Sequence, residues 1–458
     1  MKKHFFSAML LSSMLFGATS CTSPKPAAEQ KEYPMFWTWM HYNDKMNFDS
    51  ICQMMSEVGL DGVVLEAGSA ENYRKAVPVA HKHGLKVIAW VWTMNDGGVK
   101  KDHPDWMSVN RNGKSLADTT AYVGYYQFMT PALDEVRQHI NNRIKSICEV
   151  EGVDGISIDY HRFVDVVLPT TLWPTYNIVQ DREYAAWDYG YHPAMIEKFK
   201  KQYGYDPREQ EDVSKDEKWR QFRCDQISEV ANMIAETVHS YGKIMAASPF
   251  PTPKMASRMV RQDWSDWNLD LVFPMVYYNF YTEDPTFVSD CTIENARDKN
   301  PNTTLYCGIM ASETPEFFQA MDEALNNGAQ GIAIFTVDGL RSPEYKQRFK
   351  AYTDSMRTVR ANNGGVLKSK ATVTAASTDP FAHKSVLKRI EDKIQQCVAK
   401  ETGKENPELK LTEYKKVDHY DVTTTYEVTD QNSKLSFHVM FYMYGDMLSG
   451  WNVELIKK

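Results

Sequence analysis

The feature that most constrains the fold is a regular alternation of short apolar runs with amphipathic stretches that stop at glycine. The apolar runs are rich in β-branched residues and nearly free of charge, which is typical of parallel strands covered on both faces. Their starts recur about every 25 residues in the first units, and the glycines mark the ends of helices. The predicted strands cover residues 35–40, 62–66, 86–92, 153–158, 243–248, 269–277, 304–310 and 331–337.

Eight strand–helix units over roughly 320 residues predict an α/β fold of the (β/α)₈ type, a TIM barrel with right-handed connections. A doubly wound open sheet is the alternative, and it requires a glycine-rich turn after the first strand. Residues 41–44 form that turn and read HYND, without glycine. The barrel is therefore the preferred fold.

The predicted barrel domain covers residues 34–360, and the segment before it has the pattern of an export signal. Lys2 and Lys3 precede an apolar run, which ends in small residues directly before Cys21. This order is that of a secretory signal, residues 1–20, and its end resembles the lipobox of bacterial lipoproteins. We therefore predict lipidation of Cys21, a tether over residues 21–33, and an exported lipoprotein, periplasmic or at the cell surface, anchored to the outer membrane.

The sequence changes character after the barrel. Residues 361–380 are rich in glycine, serine, alanine and threonine and predict a linker. Residues 381–458 predict one helix followed by alternating strands, an α+β module comparable to cystatin-like or NTF2-like folds. It contains no convergent acid, base and nucleophile, so an accessory binding or packing role is expected.

Composition excludes some classes of partner. The net charge is −8 and no basic stripe occurs, which argues against nucleic acid. The cysteine spacings fit no metal-ligand pattern, so no metal and no cofactor are predicted. Aromatic residues make up 12% of the chain, with 11 Trp and 25 Tyr, and such a content is typical of sugar-binding clefts as well as of large cores.

Polar residues at the carboxyl ends of barrel strands converge on one site, so the acids at these positions are the candidate catalytic residues. Asp159 follows the fourth strand, and Glu66 follows the second. Further acids near strand ends are Glu283, Asp284, Glu313 and Asp338. The aromatic residues at or near strand ends are Trp37, Trp39, Trp90, Trp92, Tyr160, Tyr277 and Tyr278.

Carboxylates among aromatic rings, without paired histidine ligands, favour glycoside hydrolysis over metal-assisted hydrolysis. We expect Asp159 to be the ionised member of a catalytic pair, because Arg162 and nearby tyrosine hydroxyls would lower its pKa. Glu66 follows the apolar residues 63–65 and is the predicted acid, with a pKa raised by apolar walls. The alternatives are a structural role for Asp159, as a helix cap or as a partner of Arg162, and an anchoring role for Glu66.

Two connections are much longer than the others, residues 95–126 before the fourth strand and residues 164–191 after it. Both contain many aromatic residues. Loops of this length in a compact domain usually have a function. We expect them to cover the cleft beside Asp159.

The run from Val153 to Phe163, VDGISIDYHRF, resembles the fourth-strand motif of the glycoside hydrolase-like 10 family, whose members commonly read VDGIHLDYIRYP. Further matches occur in the same order along the chain. They are residues 103–106, 112–114, 131–140, 203–207, 219–220, 248–250, 262–264 and 274–278. The chain departs from the family pattern at His161, at residues 163–164 and at residues 65–68.

This resemblance implies a (β/α)₈ glycosidase related to the α-galactosidase-like barrels, with Asp159 as nucleophile or stabilising carboxylate. His161, Arg162 and Asp338 join the aromatic residues as predicted substrate contacts. Characterised relatives include an envelope enzyme that cuts peptidoglycan strands stripped of peptides.

The leading hypothesis is a lipid-anchored glycoside hydrolase that acts on envelope peptidoglycan strands or an environmental polysaccharide through two carboxylates. The alternative is a noncatalytic glycan-binding lipoprotein on the same scaffold. A cell-wall amidase is a third hypothesis, and it would need a metal or an activated nucleophile.

Overall fold

The computed structural model describes residues 33–180, 182–281, 285–370, 392, 394–400, 403, 408–416, 421–429, 434–444 and 447–456. The predicted signal, Cys21 and the start of the tether lie outside these residues, so their roles stay predictions. None of the described helices is long and apolar enough to cross a membrane.

Parallel strands form the centre of the molecule. They are β1 (Phe36–His41), β2 (Gly62–Glu66), β3 (Lys86–Trp92), β4 (Gly155–Asp159), β5 (Ile244–Ala247), β6 (Leu271–Val272), β7 (Thr304–Leu305), β8 (Cys307–Met310) and β9 (Ile332–Phe335). Neighbours pair in the order β7-β6-β5-β4-β3-β2-β1-β9-β8. β7 and β8 are segments of one strand on either side of Tyr306, and Met275 bridges to Gly308 in parallel. The ring therefore closes as an eight-stranded barrel, and the predicted (β/α)₈ fold is confirmed.

Helices surround this barrel. They are α1 (Phe48–Glu57), α2 (Ala70–Lys82), α3 (Asp134–Cys148), α4 (Trp173–Tyr176), α5 (Pro193–Tyr203), α6 (Glu217–Ser240), α7 (Pro253–Val260), α8 (Tyr278–Tyr281), α9 (Phe287–Asp298), α10 (Pro315–Asn326) and α11 (Pro343–Asn362). Gly59 and Gly84 follow the first two helices with φ of 91° and 77°, as the predicted helix stops require. Asn47 and Ser69 cap the same helices, since their side chains accept hydrogen bonds from Ser50 N and Asn72 N.

Large aromatic rings fill the barrel interior because glycines on neighbouring strands leave room for them. Trp37 packs edge-on against Phe273, with ring centroids 5.9 Å apart. A Cβ on Gly62 would lie 2.4 Å from the Trp37 ring, and one on Gly308 would lie 2.9 Å from the Trp39 ring. The lower barrel is therefore packed solid, and open space remains only towards the carboxyl ends of the described strands.

The loops after β3 and β4 form the two predicted insertions, and buried ion pairs hold the second insertion in place. Asp188 accepts from Arg223 Nη1 on α6 at 2.5 Å and from the hydroxyl of Tyr191 at 2.8 Å. Glu183 pairs with Arg261 at 2.6 Å, after α7. These contacts fix the second insertion on the helices behind it.

The barrel body extends beyond the predicted boundary at residue 360. α11 continues to Asn362, and Leu367 exchanges hydrogen bonds with the Gln330 side chain. Lys370 N donates to Asn326 O at 2.7 Å. Residues 371–380 of the predicted linker lie outside the described residues.

Beyond this body, residues 394–400 are helical, and an antiparallel sheet follows in the order β10-β11-β12-β13. Its strands are β10 (Glu408–Lys416), β11 (Asp421–Thr429), β12 (Lys434–Tyr444) and β13 (Met447–Ile456). All correspond to strands predicted from the sequence, so this part of the chain has a helix and an antiparallel sheet as expected.

Candidate active site

A cavity of about 490 Å³ opens at the carboxyl ends of the barrel strands. Trp92, Asp159 and Phe335, which end β3, β4 and β9, line it. Side chains of both insertions complete it. The cavity is thus the place where the fold collects strand-end residues.

Asp159 lies at the floor of this cavity and is 5% exposed. The register of β3 and β4 places Trp92 opposite Asp159, and Trp90 Nε1 donates to Asp159 Oδ2 at 2.9 Å. Asp159 Oδ1 accepts from Tyr160 N at 2.5 Å. Both donors are N–H groups that cannot accept a hydrogen bond, so they orient the carboxyl group and favour its ionised form.

Burial nevertheless raises the pKa of Asp159 to about 6, although these two hydrogen bonds and the charge of Arg162 act in the opposite direction. We expected Arg162 to hold this pKa low. That expectation is wrong, because the loss of hydration of a fully enclosed carboxylate outweighs a guanidinium that it does not directly contact.

The backbone turns sharply after Asp159. Tyr160 adopts a left-handed conformation with φ of 46°, which is uncommon for a residue with a bulky side chain. His161 is fully buried beneath the turn, where Nδ1 lies 2.7 Å from Thr93 Oγ1 and Nε2 lies 2.9 Å from Ile227 O. Burial lowers the pKa of His161 to about 4, so the ring is neutral, donates to Ile227 O and accepts from Thr93.

Arg162 and Asp165 form a buried ion pair in the cavity wall, with Nη1 and Oδ2 3.4 Å apart. Asp165 also accepts from the hydroxyl of Tyr122 at 2.7 Å, and Arg162 Nη2 donates to the hydroxyl of Tyr126 at 3.1 Å. The guanidinium carbon lies 4.9 to 5.3 Å from the centroids of surrounding aromatic rings. A planar cation is thus enclosed by rings and neutralised by a carboxylate.

His41 and Glu66 form a second polar pair at the rim. His41 Nδ1 lies 3.3 Å from Glu66 Oε2, and the side chains are 57% and 27% exposed. The His41 ring packs on Trp90 with centroids 4.8 Å apart. His41 lines the cavity and Glu66 does not, and Glu66 is partly exposed and contacts His41 instead of being enclosed by the predicted apolar walls.

Six predicted site residues, one catalytic and five for substrate contact, line the cavity. They are Asp159, Trp90, Trp92, Tyr160, Arg162 and Tyr277. The Trp92 and Tyr160 rings pack with centroids 4.3 Å apart, and Tyr277 packs on Phe335 at 5.6 Å. These rings present faces and edges on which a pyranose can stack.

Other predicted contacts lie elsewhere. Trp37 and Trp39 point into the packed barrel and are 0% and 1% exposed, so neither can touch a sugar. His161 and Tyr278 are buried outside the cavity lining, and Asp338 is exposed beyond the end of β9. The sequence places these residues in or after a strand but does not show which way their side chains point.

Three other acids near strand ends are candidates from the sequence, Glu283, Asp284 and Glu313. Glu313 accepts from the backbone N–H groups of Arg341 and Ser342, which lower its pKa and indicate a structural role. Glu283 and Asp284 lie outside the described residues.

Several lining residues were not predicted individually. They are His41, Tyr125, Tyr126, Asp165, Leu168, Pro169, Leu172, Tyr176, Phe250, Met275, Phe280, Tyr281 and Phe335. Asp165 had one sequence signal, since it lies three residues after Arg162. Within the described residues, no group of three or more His, Cys, Asp or Glu side chains is arranged to hold a metal ion.

Solved structures with a similar fold include enzymes that act on glycosides. A β-galactosidase from the psychrophilic Marinomonas ef1 matches with a TM-score of 0.51 and 12% identity, over 72% of this chain and 60% of that one. An α-L-fucosidase isoenzyme 2 from Paenibacillus thiaminolyticus matches with a TM-score of 0.47 and 14% identity, over 72% and 50% of the two chains. The chain thus spans 60% and 50% of the length of these proteins, and the first likeness supports the barrel fold alone.

No curated protein has a sequence that matches the chain. Residues 45–314 match the model of a family described as "Putative glycosyl hydrolase domain", DUF4015. This match includes β2 to β8, Asp159 and both insertions. The chain therefore belongs to the DUF4015 family of glycosyl hydrolase-type domains.

Proposed function

We propose that the protein is a glycoside hydrolase in which Asp159 is the carboxylate at the reacting sugar. The observation that carries this proposal is a buried carboxyl group at the floor of an aromatic cavity, with both oxygens oriented by N–H donors. Hydrolysis of a glycosidic bond passes through an oxocarbenium-like transition state, which a nearby carboxylate stabilises. The family description and the resemblance to the glycoside hydrolase-like 10 family support the same reaction.

Asp159 acts in its ionised form, as nucleophile or as stabilising charge. The C–O bond to the leaving group breaks while positive charge develops on the sugar ring next to Asp159. Because burial disfavours the carboxylate in the free enzyme, an adjacent positive charge in the transition state relieves that penalty. The same burial makes the electrostatic interaction stronger than it would be in water.

The His41–Glu66 pair is the proposed proton donor to the leaving oxygen. His41 is in the cavity wall, and Glu66 fixes its ring through Nδ1. The predicted acid therefore acts through the histidine that it contacts. Asp165 is less suitable, because Arg162 and Tyr122 both engage its Oδ2.

A screen of aryl glycosides, peptidoglycan strands and α- and β-linked oligosaccharides tests the reaction. We expect wild type to release sugar and Asp159→Asn to lose at least 10³-fold in kcat. Asp354→Asn is the matched control, since Asp354 is exposed on α11 and bonds only to side chains of that helix within the described residues. Full activity of Asp159→Asn would contradict the proposal.

Leaving groups of different acidity test the proton donor. His41→Gln and Glu66→Gln should lower kcat/KM by about 10²-fold or more for alkyl glycosides. Dinitrophenyl glycosides need little protonation and should be cleaved almost normally. Asp165→Asn should affect both classes equally, and equal losses for His41→Gln would remove His41 from the donor role.

Noncatalytic glycan binding is the second candidate. Asp165 is the second carboxylate among the described residues of the cavity lining, and it forms an ion pair with Arg162. A paired carboxylate is a poor second catalytic group, and this favours binding without catalysis. Calorimetry with the same oligosaccharides separates the two functions. Binding without any turnover by wild type would establish the binding protein.

We further propose that the enzyme is exported and acts on an envelope or environmental glycan. The basic and apolar pattern of residues 1–20 and the small residues before Cys21 support this location. A lipid at Cys21 would keep the catalytic body at a membrane surface.

A further inference from the structure

The cavity is closed on one side by a contact between two loops. Thr171 lies in the turn Thr170–Leu172 of the second insertion, and its hydroxyl donates to the carbonyl of Phe280 on α8. This hydrogen bond links the loop after β4 to the loop after β6. Leu172 and Phe280, on the two linked loops, both line the cavity.

The linking turn is itself held firmly. Trp173 Nε1 donates to Leu168 O at 2.9 Å, and Gln180 Nε2 donates to Asp165 O at 3.4 Å. Leu168 and Tyr281, which line the cavity on this side, are 4% and 5% exposed. Leu168 and Tyr281 therefore form a wall of low exposure on this side of the cavity.

The opposite side of the cavity is open. His41 has 57% of its side chain exposed, and Tyr125, whose hydroxyl lies 3.2 Å from that of Tyr160, is 53% exposed. Both residues line the cavity near the ends of β1 and β3. Asp159 is at the floor with 5% exposure, so a substrate passes the His41–Tyr125 rim before it reaches Asp159.

The closed and open sides of the cavity determine where the two parts of a bound glycoside lie. The sugar whose anomeric carbon reacts must lie against Asp159, inside the cavity. The leaving oxygen must lie within reach of the His41–Glu66 pair at the rim, so the leaving group extends outward over Tyr125. A cavity of about 490 Å³ has room for a short sugar end but not for a chain that continues in both directions.

We propose that the enzyme is exo-acting and removes sugar from the non-reducing end of its glycan. The inference rests on the proposed function, because it uses Asp159 and His41 to orient the substrate. The inference adds which bond of the glycan is cleaved. A chain end enters a cavity that is closed at its far side, and internal bonds do not reach Asp159.

End-labelled oligosaccharides test this mode. The substrates carry 2-aminobenzamide at the reducing end and the linkage that wild type cleaves in the glycoside screen. One set has a free non-reducing end, and the matched set has a 4,6-O-benzylidene cap on the terminal sugar. Labelled products are resolved by chromatography at early times.

We expect uncapped chains to shorten stepwise from the non-reducing end and capped chains to be cleaved at least 100-fold more slowly. Equal cleavage of capped chains, or labelled internal fragments at the earliest times, would overturn the exo mode while leaving the hydrolase proposal intact. Absence of cleavage of every substrate would instead reject the proposed function and, with it, the exo mode.

Discussion

At the scale of single residues, opposing influences set the properties of Asp159. Burial raises its pKa to about 6, whereas the N–H groups of Tyr160 and Trp90 and the charge of Arg162 favour the carboxylate. An ionised Asp159 is required in the proposed reaction. Activity should therefore rise with pH through about 6, since protonation below that pH removes the reacting charge.

The Trp90→Phe substitution tests whether the hydrogen bond from Trp90 lowers the pKa of Asp159. The substitution removes the donor to Asp159 Oδ2 but keeps an aromatic ring, so the pKa of Asp159 should rise further. A lost hydrogen bond to a charged group is worth about 1.5 kcal/mol, and we expect the acidic limb of the kcat/KM profile to move up by about one pH unit. Trp92→Phe is the matched control, because Trp92 Nε1 has no hydrogen-bond partner among the described residues. Equal profiles for the two variants would show that Trp90 does not tune Asp159.

The same pKa has a consequence for stability. The folded pKa of about 6 lies above the unfolded value near 3.8, so the folded state holds the proton more tightly. The free energy of unfolding contributed by Asp159 is therefore largest below pH 3.8 and is lost as the pH rises to about 6. The Asp159→Asn variant does not have this loss. Its free energy of unfolding minus that of wild type should therefore be about 2 kcal/mol larger at pH 7 than at pH 4. Urea unfolding at these pH values measures the difference, and a constant difference would contradict the raised pKa.

At the scale of elements, the second insertion depends on buried charges. Burial raises the pKa of Asp188, but the guanidinium groups of Arg223, Arg261 and Arg111 more than offset this and hold it below its usual value. Arg223 and Asp188 are each about 1% exposed. Because neither group can reach water, each depends on the other.

Asp188→Asn should consequently cost about 3–5 kcal/mol of unfolding free energy, since it removes the counter-charge of the buried Arg223 guanidinium. Asp354→Asn breaks the pairs of an exposed carboxylate with Lys350 and Arg357 and should cost less than about 1 kcal/mol. Urea unfolding compares the two variants. Similar small losses would show that water or other partners replace Asp188.

The elements also show what the sequence can predict. The strands were found because alternation and glycine stops are local signals, and Asp159, Trp90 and Trp92 follow from strand ends alone. The prediction for Trp37 and Trp39 is wrong because both lie before the end of β1 at His41, at a depth where inward side chains pack on Phe273 and against Gly308 rather than face the cavity. Asp165 and Tyr176 lie on an irregular insertion, whose position depends on distant partners such as Arg223, and no local pattern encodes that position.

At the scale of the whole molecule, the proposed location makes a separate prediction. The lipid would be attached to Cys21. A single acyl chain binds a membrane only weakly, so retention of an exported protein in the membrane fraction requires more than one chain on this residue. Cys21→Ser should move the protein from the membrane fraction to the soluble fraction of cells without changing its activity on soluble glycosides. Membrane retention of Cys21→Ser would remove the lipid anchor from the proposal.

Closure of the barrel joins strands from the two ends of the domain. β1 pairs with β9 through Phe36, Trp37 and Thr38, and Gly331 lies just before β9, where Cys307 N donates to its carbonyl. A Cβ on Gly331 would lie 2.2 Å from the carbonyl oxygen of Met35 and 2.3 Å from the Tyr306 ring. No side chain fits there unless the first and eighth barrel strands separate.

Gly331→Ala should therefore destabilise the protein by about 3 kcal/mol, because backbone on one side and a packed ring on the other cannot both give way. Gly124→Ala is the matched control, since a Cβ at Gly124 meets nothing within 4 Å. Urea unfolding followed by tryptophan fluorescence measures both variants, and the many interior tryptophans report on barrel closure directly. Equal stability of the two variants would mean that the seam between β1 and β9 can open without cost. The cavity would then not owe its shape to a closed ring.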